Sequence, residues 1–296
     1  MQDQSGNDFD QRLQTAIAET SQEREFSLLY EESGETRFIK ELLLETAQAL
    51  SFLLAYNPLI ETISEEASFQ GQDFAPLSSG KSLLVRGKVD RIDRLKESGS
   101  LGVVDYKSGN TKFSYAQFFN GLNSQLPTYL AAVKRMQDYD EKEGMFGAMY
   151  LQMAEPLVNF KDTNSMEDIV KEAKKSVKYT GLFLKDQSQS LNQFYEKGKH
   201  NLLTAEELEV LLAYNVYLYQ QAAETILSGK FAINPYTKDG RSIAPFVEQY
   251  KAITGFEANL HLGQARHLQG LEEKISPRSE KYRLAWIEKM RKELDK

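Results

Sequence analysis

The sequence contains no cysteine. That excludes a disulfide framework, an iron–sulfur cluster, a thiolate zinc site and a thiol nucleophile. Histidine is scarce as well: only His200, His261 and His267 occur, too scattered for a histidine metal cluster. No apolar run approaches the ~20 residues of a membrane-crossing helix, and the longest candidates, residues 42–44 and 50–55, are broken by polar positions. Residues 1–8 are neither basic nor apolar, so no secretory signal is read there and a cytoplasmic protein is expected. Basic charge is in deficit. The 36 basic and 43 acidic side chains leave a net −7, which argues against nucleic-acid binding over the whole surface but permits a local basic groove. What is present, 296 residues of which 41% are hydrophobic, suffices for one large domain or one domain with helical extensions.

Residues 9–60 carry helical spacing. Phe9, Leu13 and Ile17 recur at four-residue steps, and Phe38, Leu42, Leu43, Ala47, Leu50, Leu53 and Leu54 mark a long amphipathic helix that Asn57-Pro58 stops. Residues 71–82, rich in Gly, Pro and Ser, predict a loop. The period then changes. Residues 83–95 and 101–107 are strand-like and are joined by the short connection Lys96-Glu97-Ser98-Gly99-Ser100. After an aromatic loop, Ser124 is the expected N-cap of a helix with Pro127 in its first turn, reaching towards Asp140. Residues 147–153 predict an apolar strand, and two or three helices follow. The clearest opens on the capping box Thr204-Ala205-Glu206-Glu207 and ends before Gly229, after which 230–234 predict a short strand. Strands interleaved with helices predict an α/β fold, a central mixed sheet of about four or five strands flanked by helices. The expected division is a helical segment over 1–60, a core with a helical insertion over 61–240, and a C-terminal flap over 241–296.

The chemistry concentrates in the hairpin. A turn centred near Ser98 sets Asp90 of Gly87-Lys88-Val89-Asp90 opposite Asp105 of Asp105-Tyr106-Lys107. Alternation predicts Leu83, Val85, Val89, Val104 and Tyr106 on a helix-facing side. Arg86, Lys88, Asp90, Asp105 and Lys107 share the other side with Leu84, Ile92 and Val103. Two carboxylates directly opposed on a sheet repel, unless a hard divalent cation such as Mg2+ or Mn2+ lies between them. Lys107, on the same side, would then stand beside the metal and hold a water or a phosphate oxygen.

The strings Gly87-Lys88-Val89-Asp90-Arg91-Ile92-Asp93, Val104-Asp105-Tyr106-Lys107-Ser108-Gly109 and Gln125-Leu126-Pro127-Thr128-Tyr129-Leu130 resemble three consecutive motifs of the RecB-type PD-(D/E)xK nucleases, whose fold is restriction-endonuclease-like. Downstream, Ile233-Asn234-Pro235-Tyr236 and Tyr250-Lys251-Ala252-Ile253 with Phe256 resemble the C-terminal part of AddB/RexB-type subunits of bacterial helicase–nucleases. The resemblance implies that Asp90, Asp105 and the backbone carbonyl of Tyr106 ligate Mg2+. It makes Lys107 the catalytic lysine and has Gln125 and Tyr129 support the site and the DNA backbone. The implied reaction is hydrolysis of a DNA phosphodiester on the 5′-ended strand during double-strand-break repair, in a heterodimer with an AddA/RexA-like helicase–nuclease subunit and without a membrane. Two departures are visible. The family places a histidine ligand on a helix upstream of the hairpin, whereas no histidine here precedes His200, as if the chain began after that helix in a longer subunit. Family members that hold an iron–sulfur cluster near the C-terminus use cysteines, so a cluster-free member is expected.

Other readings compete. Asp93, off the Asp90 face, is expected to pair with Arg91 or Arg94 rather than with metal. Arg86, Lys88, Lys112 and Tyr115, with Phe113, Phe118 and Phe119, offer a groove for single-stranded DNA with bases stacked on rings, although core packing explains the aromatics equally well. The segment Ala75-Pro76-Leu77-Ser78-Ser79-Gly80-Lys81-Ser82 fits a loose Walker A pattern, yet a strand rather than a helix follows it, so no ATP site is expected. A catalytically incomplete DNA-binding and partner-docking module, and a small-molecule metallophosphatase, are the alternative functions.

Overall fold

The structure is a computed structural model. It describes residues 4–24, 57–107, 109, 111–136, 139–142, 144–152, 178–238, 241–243, 249–257 and 260–296. The elements in order are α1 (Gln4–Gln22), β1 (Ile60–Pro76), β2 (Ser82–Leu95), β3 (Leu101–Lys107), α2 (Tyr115–Phe119), α3 (Gln125–Val133), β4 (Met145–Gln152), β5 (Tyr179–Leu184), β6 (Leu202–Leu203), α4 (Ala205–Leu227), β7 (Tyr236–Lys238), β8 (Arg241–Ser242), α5 (Lys251–Thr254), β9 (Arg266–His267) and α6 (Glu280–Leu294). Most of the amphipathic helix expected over 9–60 lies outside the described residues, as does much of the expected helical insertion.

Strands β1 to β6 form one sheet in sequential order. The pairings β1–β2, β2–β3 and β4–β5 are antiparallel, while β3–β4 and β5–β6 are parallel, so the sheet is mixed. A second, three-stranded sheet has the order β8-β7-β9. Strand β4 lies centrally and its first seven residues are all buried, which explains why it reads as an unbroken apolar run. Helices α3, α4 and α6 cover one face, where Ile92, Val103, Leu126, Leu130, Leu211, Trp286 and Met290 share a core. A smaller core on the opposite face gathers Leu95, Val104, Phe146, Met149, Tyr179 and Phe183 under Leu191, Phe194 and Tyr195.

The hairpin register is the one its turn requires: Arg91 pairs with Val104, Ile92 with Val103, Asp93 with Gly102 and Arg94 with Leu101. Gly99, at φ 74, makes the turn, its N–H donating to the Leu95 carbonyl at 2.8 Å. The capping box also forms: the Glu207 N–H donates to Thr204 Oγ1 and the Thr204 N–H to Glu207 Oε2.

Four local expectations are corrected. The loop expected from residue 71 is strand as far as Pro76, because β1 continues its pairing with β2 there and only residues 77–81 turn. Residues 230–234 form no strand; β7 starts at Tyr236, and Phe231 remains 74% exposed. Helix α3 ends at Val133, well short of Asp140, and Ser124 occupies its N-cap with helical backbone angles and no side-chain capping bond.

The fourth correction concerns the faces. Leu83, Val85 and Val89 join Ile92 and Val103 on the helix side, whereas Val104 and Tyr106 pack on the opposite side. Val89 and Ile92 are three positions apart, so strict alternation cannot place both inward. The alternation slips between them, at Val89–Asp90, so that Asp90 faces the helix side and Arg91 the opposite one. On the neighbouring strand, Glu65 pairs with Arg91 and Ala67 with Val89, which sets Glu66 beside Asp90. Glu66 has φ 54, the positive-φ non-glycine residue among those described. Backbone strain of this kind costs on the order of 1–3 kcal/mol, and it falls beside the point where β2 changes face.

Candidate active site

The β2–β3 ladder ends at Arg91 and Val104, so Asp90 and Asp105 flank the point where the strands part. Beyond it the Tyr106 N–H donates to Asp90 Oδ2 at 2.9 Å, a side-chain carboxylate standing in for a ladder carbonyl. Asp105 is 2% exposed. Its Oδ1 accepts from Gln125 Nε2 at 2.7 Å, and the same amide donates to the Tyr129 hydroxyl at 3.0 Å. Gln125 and Tyr129 occupy one face of α3 because they are four apart. Lys107 Nζ lies 2.6 Å from Asp105 Oδ2 and 5.5 Å from the centre of the Tyr150 ring.

Burial pushes the Asp105 carboxyl above the usual carboxylate range. The Lys107 ammonium opposes that shift, the nearby Asp90 charge adds to it, and the Tyr129 hydroxyl helps hold the charged form. Burial likewise raises the Tyr129 phenol, against the pull of Gln125.

The motif glycine has a packing role. A Cβ on Gly87 would lie 2.5 Å from the end of the Phe69 ring, its partner across β1–β2. Phe69 in turn meets Tyr129 edge-on at 6.3 Å. The absent side chain at residue 87 therefore seats the ring that backs the site's tyrosine.

The donor set suits a hard cation. Asp105 Oδ2 is shielded from solvent and pairs with the Lys107 ammonium at 2.6 Å. A carboxylate oxygen carries two lone pairs, so it can face the ammonium and still meet a cation. Mg2+ is commonly held by one or two carboxylates, with waters and substrate phosphates completing the shell. Among the described residues no group of three or more His, Cys, Asp or Glu side chains is placed to hold a metal ion.

A groove of about 720 Å3 reaches the site through Gln125 and Tyr150, which line it together with Lys112, Gln117, Asn123 and Ser124 among others. Lys112 is exposed and belongs to it. Lys88 instead pairs with Glu66 on β1, and Arg86 is exposed on β2, outside that lining. Tyr115 is corrected: it is 4% exposed, packs against Phe113 and Tyr282, and donates its hydroxyl to the His200 carbonyl, so its ring offers no surface for a base. Phe118 and Phe119 are core as well. Asp93 binds Arg91 at 2.8 Å, as expected.

Sequence reasoning missed Tyr150 and Asn123. Tyr150 pairs with Asp105 across the parallel β3–β4 ladder, lies under Lys107 and donates its hydroxyl to Asn123 Oδ1 at 3.2 Å. The signal was the apolar run of β4, whose single phenol needs a partner when buried.

A family profile described as the PD-(D/E)XK nuclease superfamily matches residues 2–242. An ATP-dependent helicase/deoxyribonuclease subunit of Streptococcus pneumoniae (strain ATCC 700669 / Spain 23F-1) is 58% identical over 292 residues, which is 97% of this chain and 26% of that protein. The exonuclease/helicase subunit RexB of S. pneumoniae serotype 4 (strain ATCC BAA-334 / TIGR4) shows the same 58% over 292 residues. The corresponding ATP-dependent helicase/deoxyribonuclease subunit of Streptococcus suis (strain 05ZYH33) is 45% identical over 98% of the chain. The chain thus spans 26% of the length of these curated relatives. With a profile matched across most of its residues and a mixed sheet flanked by helices, the chain belongs to the PD-(D/E)XK nuclease superfamily.

Proposed function

We propose that the chain is the nuclease domain of a helicase–nuclease subunit and hydrolyses DNA phosphodiesters with Mg2+, or Mn2+ in its place, held by Asp90, Asp105 and the Tyr106 carbonyl. The observation that carries this reading is the convergence of two carboxylates, an ammonium and an amide at the parting of β2 and β3, beside an open groove. A bound divalent ion supplies a Lewis acid and a water of lowered pKa. The protein's own groups prepare its place. Gln125 and Tyr129 orient Asp105 and favour its ionised form. Lys107, with 27% of its side chain exposed, is placed to hold a water or to neutralise a phosphate oxygen. Lys112 gives the groove a cation for the strand's backbone.

The names of the relatives support DNA as substrate and a helicase-containing assembly as setting. The partner proposed is an AddA/RexA-like subunit, the strand degraded is the 5′-ended one, and the role is double-strand-break repair and recombination. No helix among the described residues is long and apolar enough to cross a membrane. A second reading has its own observation: because no third His, Cys, Asp or Glu side chain joins the pair among the described residues, the chain would bind DNA and its partner without cutting.

The test is cleavage of end-labelled single-stranded DNA with Mg2+ and with EDTA, for wild type, Asp105→Asn and Lys107→Ala. Metal-dependent cleavage that either substitution lowers by about 100-fold or more supports the nuclease. DNA binding without cleavage supports the second reading. Cleavage undiminished in Lys107→Ala removes that residue's role.

A further inference from the structure

Behind the candidate site, on the opposite face of the sheet, lies a charged cluster that the proposed chemistry does not use. Arg91 is 2% exposed and Asp93 0%. Arg91 donates to the Tyr106 hydroxyl at 2.8 Å through one terminal nitrogen. Through the other it donates to Asp93 Oδ2 at 2.8 Å and to the Tyr179 hydroxyl at 2.7 Å. Asp93 also accepts from Thr62 on β1 at 3.0 Å, and Tyr195 stacks on Tyr179 at 4.7 Å. The cluster therefore ties β1, β2, β3 and β5 together. Charges withdrawn from water in this way are expensive, and apolar residues of similar volume often stabilise a fold as well or better. Stability alone gives little reason for an arginine here.

Its position gives a reason. Arg91 directly follows Asp90 and pairs with Val104, which directly precedes Asp105. It is the last rung before the ladder opens. Past that rung Tyr106 is held at two ends: its N–H by the Asp90 carboxylate on one side of the sheet, and its hydroxyl by Arg91 on the other. The strained Glu66 lies beside this same point on β1. Without the ladder, backbone pairing no longer sets how far β2 and β3 separate. The Arg91–Tyr106 link spans the gap in its stead.

We propose that Arg91 is a positioning residue for the nuclease site, acting through Tyr106 to fix the spacing of Asp90 and Asp105. This rests on the function proposed above for that site. A guanidinium suits the task because its planar fork donates in several fixed directions at once, which an ammonium cannot do.

The experiment compares wild type with Tyr106→Phe, which removes the phenol link and leaves the Arg91–Asp93–Tyr179 bonds in place, and with Arg91→Lys, which keeps charge but not the fork. Tyr195→Phe serves as a control that removes the hydroxyl accepting from Asn57 at 2.8 Å, next to the cluster but away from Tyr106. Three quantities are measured on the whole chain: melting temperature, exchange of the residue-106 amide by NMR without metal, and Mn2+ affinity by calorimetry, with kcat and KM for DNA measured separately. In Tyr106→Phe and Arg91→Lys the residue-106 amide is expected to exchange several-fold faster, Mn2+ affinity to fall about tenfold, and kcat to fall with KM unchanged. Tyr195→Phe should move the melting temperature alone. The proposal is overturned if both test variants lose melting temperature while amide exchange and Mn2+ affinity stay at wild-type values. Should wild type bind no Mn2+, the nuclease reading fails by itself. The amide then decides the clamp separately: faster exchange supports it and unchanged exchange overturns it.

Discussion

Replacing Gln125 with leucine tests the site's electrostatics without touching a carboxylate or the lysine. The amide that donates to Asp105 Oδ1 at 2.7 Å disappears, and the oxygen belongs to a side chain 2% exposed, so water does not readily replace it. A hydrogen bond to a charged group contributes about 1.5–3 kcal/mol. At about 2–4 °C per kcal/mol for larger domains, the melting temperature should fall roughly 3–12 °C near neutral pH. The sign of the pH dependence follows from the Asp105 shift, which burial already drives upward. The lost donor favoured the charged form, so its removal raises the folded-state pKa further above the unfolded one. A group raised in this way weakens the fold while ionised, and protonation relieves it. The gap between wild type and Gln125→Leu should therefore narrow as pH falls from 7.5 towards 5. Thermal melts of both proteins across that window read it directly. A gap that stays constant, or widens in acid, would refute the picture of a buried, amide-supported Asp105 carboxylate.

Two further outcomes are expected. Gly87→Ala forces the Phe69 ring to move, which should cost about 1–3 kcal/mol; because Phe69 backs Tyr129, cleavage should fall with it, and denaturant midpoints alongside nuclease assays check both. Alkali should weaken the fold through Tyr179, whose phenol burial pushes up to about 12, with Arg91 pulling the other way. The stability it brings is complete below the ordinary tyrosine pKa and disappears as pH rises through the folded value. Relative to Tyr179→Phe, wild type should lose up to about 3 kcal/mol between pH 9.5 and 12, and a pH-independent difference in denaturant midpoint would contradict it.

What could be read from the sequence was local. The hairpin's turn fixes its register, a four-residue step places Gln125 beside Tyr129, and Thr204 and Glu207 announce their helix. What could not be read depends on distant neighbours. The change of face at Asp90 involves Glu66 on another strand, so alternation within β2 alone misplaces Val104 and Tyr106. Strand β1 escaped notice because Glu61, Ser64, Glu65, Glu66 and Ser68 give it few apolar positions. Strand β5 escaped because Gly181 interrupts it, although a Cβ there would strike the Ala148 carbonyl of β4. Conversely, Phe231 and Ile233 alternate as a strand should but find no sheet to join, and both stay exposed.

Strand β1 also has a bearing on solubility. It is 17 residues long and ends the six-stranded sheet, and a flat border of that length would invite another chain to add on. Its irregular pairing at Ile63 and near Gly71, the turn of backbone at Glu66 and its acidic side chains all break up that template. The backbone turn that lies beside Asp90 thereby also discourages self-association along the rim.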